Sequence, residues 1–544
     1  MNHRFIRFPL LMIGTLLLLV GMPLTVAARP NVIYIMADDL GYGDVGCFGG
    51  ERCKIPTPGI DRLAREGMRF TDAHTIASVC VPSRLAIMTG RYPWRIQGSR
   101  VNGPWGFLNP RFPTEHFTIG RMLRNSGYRT GYVGKWHLGL LMQTTDGQNQ
   151  GLENVDYTRA LKVSPQQYGF DYSFILPGSL DMYPYVFVRD GEFVGKVTKQ
   201  RGWSAFNRVG PTEENFEDYN VLDTFSAEVE KFIAESAPGS HAGQPFFLYF
   251  ALTAPHTPTS PHPKFEGSTE LGLYGDFVHE TDNCVVRTLA ALQEHGLADN
   301  TLVIFTSDHG PAPYAGNVRK ATYNNVKQLE AMGHFPSGIY RGYKFSVYEG
   351  GMRIPFVVRW PRQVTAGSTC DQLIGLNDLM ATLADVCQIE LAEDQAVDSV
   401  SYYRLLKSPR SRPTRENLLM AGTHGYAVRW QDWKLCLCPG SGSLGRYGNL
   451  PKPEQAWASA VAAFGRKPKR EELLAAPFVQ LFNLADDPTE SHNLAADQPQ
   501  LVRKLYDLLE HQFDVGRSTA GPPQENDRPR PNYWGRLPAG TLQP

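Results

Sequence analysis

Cysteine is scarce in this chain, since only 8 of its 544 residues are cysteine. So few cysteines cannot staple a scaffold of this length, although an exported chain can pair some of them. No two cysteines have the spacing C-x-x-C, which argues against a zinc ribbon and against a thioredoxin-like redox motif. An excess of charge is lacking as well, because 54 Lys and Arg balance 54 Asp and Glu. That balance argues against the sequence-wide basic excess of a nucleic-acid-binding protein.

Long hydrophobic runs are lacking after the first 28 residues. The chain begins with a basic stretch, continues with an apolar run over residues 8–24, and then has small residues at 26–28. This order predicts a secretory signal peptide over residues 1–28. An uncleaved membrane anchor is the alternative, but Pro9 and Pro23 interrupt the run, which falls short of the ~20 residues that a span needs. We therefore expect an exported protein, periplasmic, secreted or otherwise extracytoplasmic, with no stable membrane insertion.

Several short apolar runs of strand type each end in charged or imidazole side chains. Four such runs occupy residues 31–36, 129–133, 245–252 and 302–305. Amphipathic helix patterns lie between them, which predicts an α/β fold with a large, mostly parallel sheet flanked by helices. In open sheets of this kind, ligands bind beyond the carboxyl ends of the strands. The polar residues that follow the four runs are therefore expected to form one site.

The character of the sequence changes after about residue 395. Residues 426–430 and 433–437 predict hairpin strands, residues 501–509 predict a helix, and a Pro/Gly-rich tail follows. We predict that residues 1–28 form the signal peptide and residues 29–395 a catalytic domain. Residues 396–544 would then form a smaller C-terminal α+β subdomain with its tail.

The sharpest local pattern is Cys80-Val81-Pro82-Ser83-Arg84, followed by Thr89-Gly90-Arg91. Pro82 suits the first turn of a helix, which places Cys80 at or just before a helix N-terminus. Backbone N–H groups and the helix dipole favour an anion there. On the residues alone this context indicates an activated thiolate, and a buried structural cysteine is the alternative.

In this segment the chain resembles the type I sulfatase family of the alkaline-phosphatase-like superfamily. Its signature Cys-x-Pro-Ser-Arg is matched by Cys80, Pro82, Ser83 and Arg84. In that family a separate maturation enzyme oxidises the cysteine to Cα-formylglycine (3-oxoalanine). One hydroxyl of the hydrated aldehyde attacks sulfur, and the other later expels sulfate by collapsing back to the aldehyde. The resemblance therefore implies a formylglycine-dependent sulfuric ester hydrolase, with a formylglycine-generating enzyme as its partner.

The resemblance also extends to metal ligands. Asp38 and Asp39 match the family's first pair of ligands, Asp308 and His309 match the second pair, and the Cys80 position completes the set. Three carboxylates from separate strands suit calcium better than zinc, so one Ca²⁺ ion is implied. The family often has asparagine where His309 stands, although histidine also occurs there. For any single aspartate, a role in a turn or helix cap is the alternative.

Two lysine motifs match the family too, one at residues 134–139 and one running from residue 342 to residue 355. The resemblance implies that Lys135 and Lys344 hold sulfate oxygens and that Arg84 orients the formylglycine hydrate. Cations are needed because the ester is anionic and the transition state spreads more charge onto its oxygens.

Two histidines complete the implied site. His137 would take the proton of the second hydroxyl, and His256 would protonate the leaving alkoxide or bind sulfate. Histidine suits both roles because its ordinary pKa lies near working pH. A lone lysine or histidine would be read as a solvated surface group; the joint arrangement favours the site.

Three other functions compete with this one. Residues 41–46 satisfy the dinucleotide-binding pattern G-x-G-x-x-G, but Asp38, Asp39 and Asp44 would oppose a pyrophosphate there. A phosphomonoester or phosphodiester hydrolase of the same superfamily would not need Cys80 together with Arg84. A non-catalytic sulfated-glycan-binding protein would be expected to lack a catalytic position, and none is missing.

The substrate is the least determined feature. The resemblance permits aryl sulfates as test substrates and sulfated carbohydrates as natural ones. Aromatic residues of two loops could stack on sugar rings, with ordinary anchoring of the loops as the alternative. These residues are Trp105, Phe107, Tyr183, Tyr185 and Trp203.

Overall fold

The computed structural model describes residue 1 and residues 29–98, 105–202, 207–315, 325–438, 440–443 and 477–528. The predicted signal peptide beyond residue 1, Trp203 and the end of the predicted tail lie outside the described residues. No helix within the described ranges is long and apolar enough to cross a membrane.

Strands and helices alternate along most of the described chain. The strands are β1 (Asn31–Asp38), β2 (Met68–Phe70), β3 (Ala73–His74), β4 (Arg129–Lys135), β5 (Tyr172–Leu176), β6 (Val188–Arg189), β7 (Glu192–Phe193), β8 (Val197–Arg201), β9 (Gly210–Glu213), β10 (Phe246–Pro255), β11 (Thr301–Ser307), β12 (Phe356–Arg359), β13 (Ser368–Cys370), β14 (Ile374–Gly375), β15 (Asn417–Ala421), β16 (Tyr426–Trp430), β17 (Trp433–Leu437) and β18 (Val479–Asn483). The helices are α1 (Gly46–Gly49), α2 (Pro58–Glu66), α3 (Cys80–Thr89), α4 (Ile119–Asn125), α5 (Val221–His241), α6 (Leu273–Glu294), α7 (Asn325–Ala331), α8 (Glu349–Met352), α9 (Leu379–Cys387), α10 (Tyr403–Lys407) and α11 (Pro499–Asp514).

One large sheet dominates the described residues, with ten strands in the order β13-β2-β12-β11-β1-β10-β4-β5-β6-β7. The five strands from β11 to β5 pair in parallel, whereas β12 pairs antiparallel with both neighbours and β6 and β7 form antiparallel pairs at the other edge. The predicted α/β class is confirmed, and the antiparallel flanks make the sheet mixed.

The central strands are buried along their whole length, which explains their continuous apolar runs. Every residue of β1, β10 and β11 is buried. Parallel strands that are covered on both faces require such runs instead of alternation. The helices α5 and α6 supply part of the cover, because they pack against each other and against β10.

A second, smaller sheet follows near the C-terminus, with the antiparallel order β15-β16-β17-β18. The helix α11 packs its apolar face on this sheet through Val502, Leu505, Leu509 and Phe513. This hydrophobic core also includes Ile76 and Val347 from the larger part of the chain. The smaller α+β subdomain is therefore confirmed, whereas its predicted boundary at residue 395 stays a prediction.

Candidate active site

The carboxyl ends of four neighbouring central strands meet at one edge of the large sheet. Each strand ends in or just before residues that the sequence singles out. They are Asp38 and Asp39 after β1, Asp308 and His309 after β11, Lys135 and His137 after β4, and His256 after β10. Cys80 and Arg84 come from α3, and Lys344 comes from the segment before α8. All ten side chains are buried, with at most 4% of any of them exposed.

Asp38, the last residue of β1, and Asp39, which follows it, form the centre of the site. Asp39 has a φ of 65°, in the left-handed region that non-glycine residues rarely occupy. Such strain costs about 1–3 kcal/mol and persists only where the surroundings hold it. The Asp39 N–H donates to the carboxylate of Asp308 at 3.2 Å, which ties the ends of β1 and β11 together.

Cys80 lies at the first position of α3, directly after the extended residue Val79. Its Sγ is 3.6 Å from Asp38 Oδ1 and 3.3 Å from His309 Nε2. One turn further, the Ser83 hydroxyl donates to the main-chain oxygen of Asp308 at 2.8 Å. The helix start is thereby fixed against the ends of both strands.

Burial opposes the ionisation of the Cys80 thiol. It raises the pKa of the thiol above its ordinary value, although Lys135 and Lys344 oppose that shift. Desolvation of a buried thiolate thus works against the activated thiolate that the helix N-terminus alone would favour.

Three buried cations neutralise three buried carboxylates. Lys135 Nζ is 2.6 Å from Asp38 Oδ2, and Lys344 Nζ is 2.7 Å from Asp39 Oδ1. Arg84 donates to Asp308 Oδ2 at 3.1 Å. The formal charge of these six groups sums to zero.

The two lysines affect the neighbouring carboxylates unequally. Burial alone would raise the pKa of Asp38, but Lys135, His256 and Arg84 hold that pKa well below its usual range. Burial raises the pKa of Asp39, because Lys344 compensates only part of the desolvation. Asp38 is therefore the more firmly ionised of the two.

The donor set could hold a metal ion. One ligand atom from each of Asp38, Asp39, Cys80 and His309 lies within 4.8 Å of the others. His309 Nδ1 is 2.9 Å from the main-chain oxygen of Gly310, which can only accept. Nδ1 therefore carries the proton, and Nε2 directs its lone pair at the cluster. Burial lowers the pKa of His309 to about 4, which keeps the ring neutral, as a metal ligand must be.

Asp308 lies at the border of this cluster. Its Oδ1 is 3.6 Å from His309 Nε2, while its Oδ2 binds Arg84. It is thus near enough to supply a further carboxylate ligand and is at the same time the anchor of the arginine.

His137 lies in the site with both ring nitrogens unpartnered among the described residues. Its φ of 54° is again left-handed. Burial, together with Lys135 and Arg84, lowers the pKa of His137 well below its ordinary value, so the ring is neutral and can accept a proton.

His256 faces the cluster from β10. Its Nδ1 is 2.7 Å from the main-chain oxygen of Thr257, and its Nε2 is 3.7 Å from Asp39 Oδ2. The carbonyl fixes the proton on Nδ1, so Nε2 is unprotonated in the neutral ring. Burial and Lys344 lower the pKa of His256 well below its ordinary value.

The glycines of the second lysine motif allow the chain to close around Lys344. An added Cβ at Gly350 would overlap the main-chain oxygen of Gly342, and one at Gly351 would overlap that of Tyr343. The Lys344 N–H donates to the main-chain oxygen of Pro311 at 2.9 Å. This close backbone packing explains why the motif has small residues beside the lysine.

The glycine pattern at residues 41–46 is part of the packed interior. Asp44 accepts from the Gly41 N–H at 2.7 Å and from the Tyr274 hydroxyl at 2.8 Å, and it lies 2.8 Å from His334 Nε2. An added Cβ at Gly41 would overlap the main-chain oxygen of Pro336. The pattern therefore serves close packing, which agrees with the rejection of a dinucleotide site.

Comparisons with known proteins decide the family. A sequence model of the Sulfatase family matches residues 30–389. The chain belongs to the sulfatase family. It is a sulfuric ester hydrolase.

The sulfatase has relatives in bacteria and in mammals. An N-acetylgalactosamine-6-O-sulfatase of Bacteroides thetaiotaomicron is 33% identical over 89% of this chain and 93% of its own length. The steryl-sulfatase of Mus musculus is 29% identical over 93% of this chain and 85% of its own length. A solved structure from work on the metabolism of multiple glycosaminoglycans by Bacteroides thetaiotaomicron is 31% identical, with a TM-score of 0.73 over 89% of this chain and 99% of that chain.

Sequence reasoning missed two residues beside the sulfatase site. Asp181 is buried, and its Oδ1 is 3.9 Å from His256 Nδ1. The ring of Tyr314 lies 5.7 Å from Lys344 Nζ and 6.3 Å from the His256 ring. Neither residue belongs to a sequence motif. The loop that contains Asp181 draws attention in the sequence only through its aromatic residues.

Three of the five aromatic residues that the sequence suggests for stacking, Phe107, Tyr183 and Tyr185, pack within the protein. The rings of Phe107 and Tyr183 lie 5.4 Å apart, and the Tyr185 hydroxyl donates to the main-chain oxygen of Arg208 at 2.7 Å. All three are buried. These contacts favour the anchoring of the loops over the stacking of sugar rings.

Proposed function

We propose that this sulfatase hydrolyses sulfate esters of carbohydrates through a formylglycine formed from Cys80, next to a bound calcium ion. The observation that carries the proposal is the place of Cys80 Sγ, buried between Asp38 and His309 with a raised thiol pKa. A thiol in this position is a poor nucleophile, whereas an aldehyde hydrate there would need no ionised sulfur.

Asp38, Asp39, Asp308 and His309 would hold the calcium ion, together with the oxygen that replaces Cys80 Sγ. When bound, the ion would supply positive charge to an anionic sulfate ester and to the charge that develops on its oxygens. This addition matters because the six charged side chains of the site sum to zero. The three carboxylates favour calcium, and His309 would be the nitrogen ligand among them.

The remaining side chains have separate roles. Lys135 and Lys344 would bind sulfonyl oxygens after turning from the carboxylates that they contact, and Arg84 would orient the hydrate. His137 would accept the proton of the second hydroxyl, because neither ring nitrogen has a partner in the described part of the chain and the lowered pKa of the ring keeps it neutral.

His256 would act on the leaving oxygen after binding a proton at Nε2. The neutral ring has no N–H there, since Nδ1 donates to the Thr257 carbonyl. An arriving sulfate anion favours the protonated ring, and the proton would then pass to the leaving alkoxide.

The carbohydrate class is supported by the name of the N-acetylgalactosamine-6-O-sulfatase and by the glycosaminoglycan context of the solved relative. Export and maturation belong to the same proposal. The chain would reach an extracytoplasmic compartment through residues 1–28 and would meet a formylglycine-generating enzyme as its partner.

The first test concerns Cys80 itself. The protein would be produced with a formylglycine-generating enzyme, and peptide mass analysis would locate an aldehyde at residue 80. We expect sulfate release from the modified protein and none above background from Cys80→Ala. Unmodified Cys80 in a fully active preparation would overturn the formylglycine step.

The second test concerns the substrate. Sulfate release would be compared for 4-nitrophenyl sulfate, sulfated monosaccharides and a steroid sulfate, with 4-nitrophenyl phosphate as the matched phosphate ester. We expect the sulfated monosaccharides to have the highest kcat/KM. Preference for the steroid sulfate would overturn the carbohydrate proposal, and preference for the phosphate ester would favour the phosphohydrolase alternative.

A further inference from the structure

Asp181 lies in the loop after β5, the strand next to β4 in the large sheet. Only 1% of the residue is exposed. Arg208 donates to Asp181 Oδ2 at 2.9 Å and to the Asp181 main-chain oxygen at 3.0 Å, so one carboxylate oxygen has a firm partner. The other oxygen, Oδ1, has no hydrogen-bond partner among the described residues.

The free oxygen does not orient His256. Oδ1 lies 3.9 Å from His256 Nδ1, beyond hydrogen-bond distance, and that nitrogen already donates to Thr257 at 2.7 Å. The ion pair with Arg208 does not account for Oδ1 either, because it uses Oδ2. A buried carboxylate oxygen without a donor is unfavourable, which indicates that a donor from outside the chain completes it.

The position of Asp181 indicates which part of a substrate supplies that donor. His256 Nε2 lies 3.7 Å from Asp39 Oδ2, and His256 Nδ1 lies 3.9 Å from Asp181 Oδ1, so Asp181 and the carboxylate cluster border the same ring. Since we assign His256 to the leaving oxygen, the group bonded to that oxygen is the part of a substrate that lies nearest to this ring and to Asp181. A carboxylate repels a second sulfate but accepts a hydrogen bond from a neutral hydroxyl.

We propose that Asp181 is a specificity-determining residue, which accepts a hydrogen bond from a hydroxyl of the sugar that carries the sulfate ester. Arg208 is its positioning residue. The inference rests on the proposed carbohydrate substrate and adds the group that recognises it. An aryl sulfate lacks this hydroxyl and gains nothing from Asp181.

The experiment removes the two partners of the proposed hydrogen bond, the sugar hydroxyl and the Asp181 carboxylate, separately and together. The substrate is the fastest of N-acetylgalactosamine 6-sulfate, N-acetylglucosamine 6-sulfate and galactose 6-sulfate, with its 3-deoxy and 4-deoxy analogues. The proteins are the wild type, Asp181→Ala, Asp181→Asn and the matched control Asp218→Ala. Asp218 is also buried and paired with an arginine, since Arg201 donates to it at 2.6 Å.

We expect one deoxy analogue to have a kcat/KM about 10- to 100-fold below that of the parent sugar for the wild type and for Asp218→Ala, the range of a hydrogen bond to a charged group. In Asp181→Ala that ratio shrinks to within about twofold, because the partner of the missing hydroxyl is gone. Asp181→Asn keeps an oxygen without the charge and gives an intermediate ratio, which also tests the inference if the alanine variant does not fold.

Two results would overturn the inference, and they are distinguishable. If the sugar is hydrolysed and the deoxy ratio is the same in Asp181→Ala, Asp181→Asn and the wild type, Asp181 does not recognise a hydroxyl. If the wild type hydrolyses 4-nitrophenyl sulfate but none of the sulfated sugars, the carbohydrate proposal fails and the inference fails with it.

Discussion

Two clusters of acids and bases among the described residues of this sulfatase have the spacing of a metal site. The site cluster comprises Asp38, Asp39, Cys80, Asp308 and His309 with their cations Arg84, Lys135 and Lys344. The interface cluster comprises Asp72, His74, Glu349, Arg353, Lys434 and Glu490, and it joins β17 to α8. Ligand atoms of Asp72, His74 and Glu349 lie within 4.8 Å of one another, as do those of Asp38, Asp39, Cys80 and His309.

The two clusters differ in how completely their polar atoms are paired. In the interface cluster, Lys434 Nζ lies 2.8 Å from Glu349 and 2.9 Å from Glu490, and Arg353 lies 2.7 Å from both Glu349 and Asp72. His74 is engaged through Glu349 at 2.8 Å and through the Asp72 main-chain oxygen at 3.3 Å.

The site cluster leaves functional atoms without protein partners. Both nitrogens of His137 are unpartnered among the residues that the structure describes. Asp39 and His137 have left-handed backbones, and so does Glu490 of the interface cluster. Neither proximity of ligands nor backbone strain therefore marks a metal site by itself; the two ring nitrogens of His137, unpartnered among the described residues, distinguish the site cluster.

Among the tests that compare the two clusters, Lys135→Met gives the largest expected effect, a loss of activity. It removes a cation that we assign to sulfonyl oxygens, so we expect kcat/KM for 4-nitrophenyl sulfate to fall by about 10³-fold. Calcium-saturated wild type is the reference, and far-UV circular dichroism checks the fold. A loss below about tenfold would place Lys135 in the same structural class as Lys434.

Removal of calcium tests which of the two clusters binds the ion. We expect dialysis against a calcium chelator to lower activity by about 10²-fold and added Ca²⁺ to restore it. At a hundredfold excess over Kd, the ion would also raise the free energy of unfolding by about 2.7 kcal/mol. Asp39→Asn should abolish that stabilisation, whereas Asp72→Asn should retain it; equal loss in both would move the metal to the interface cluster.

Lys434→Met is the counterpart of Lys135→Met in the interface cluster. It leaves Glu349 and Glu490 buried without their shared cation, so we expect the free energy of unfolding to fall by about 3–5 kcal/mol. Denaturant unfolding measures this loss. The kcat of the folded fraction should stay within about threefold of wild type, because Lys434 contacts no group of the site cluster; a much larger loss would couple the two clusters.

The pH dependence gives the smallest expected effect. A lowered pKa keeps His137 in its neutral, proton-accepting form at pH values where an ordinary histidine is protonated. With 4-nitrophenyl sulfate, whose leaving phenolate needs no proton from His256, kcat/KM at saturating calcium should therefore change by at most about twofold between pH 7.0 and 5.5, whereas a base of pKa 6.5 would lose about eightfold. Such an eightfold loss would show that the base is less perturbed than burial implies.

Much of the site was predictable from local sequence. Asp38, Lys135, His256 and Asp308 stand at the ends of apolar runs, and parallel strands deliver such positions to one edge of a sheet. Cys80 was predictable at a helix start because Pro82 favours the first helical turn. The resemblance to sulfatases rested on the same motifs.

Other features had no local signal. The antiparallel flanks of the sheet depend on pairing between distant segments. The raised pKa of the Cys80 thiol depends on burial by many elements. Asp181 belongs to no motif, and only the folded chain brings it to His256.

The sequence by itself determined the chemistry of this sulfatase, because strand ends, a helix start and short motifs are set by neighbouring residues. Tertiary structure alone decided which charges are satisfied. Lys135 and Lys434 are both buried lysines that lie in a strand and contact a buried carboxylate, and no local sequence pattern separates them. Their difference arises because desolvation and pairing are properties of everything packed around a group, which the fold brings together from distant parts of the chain.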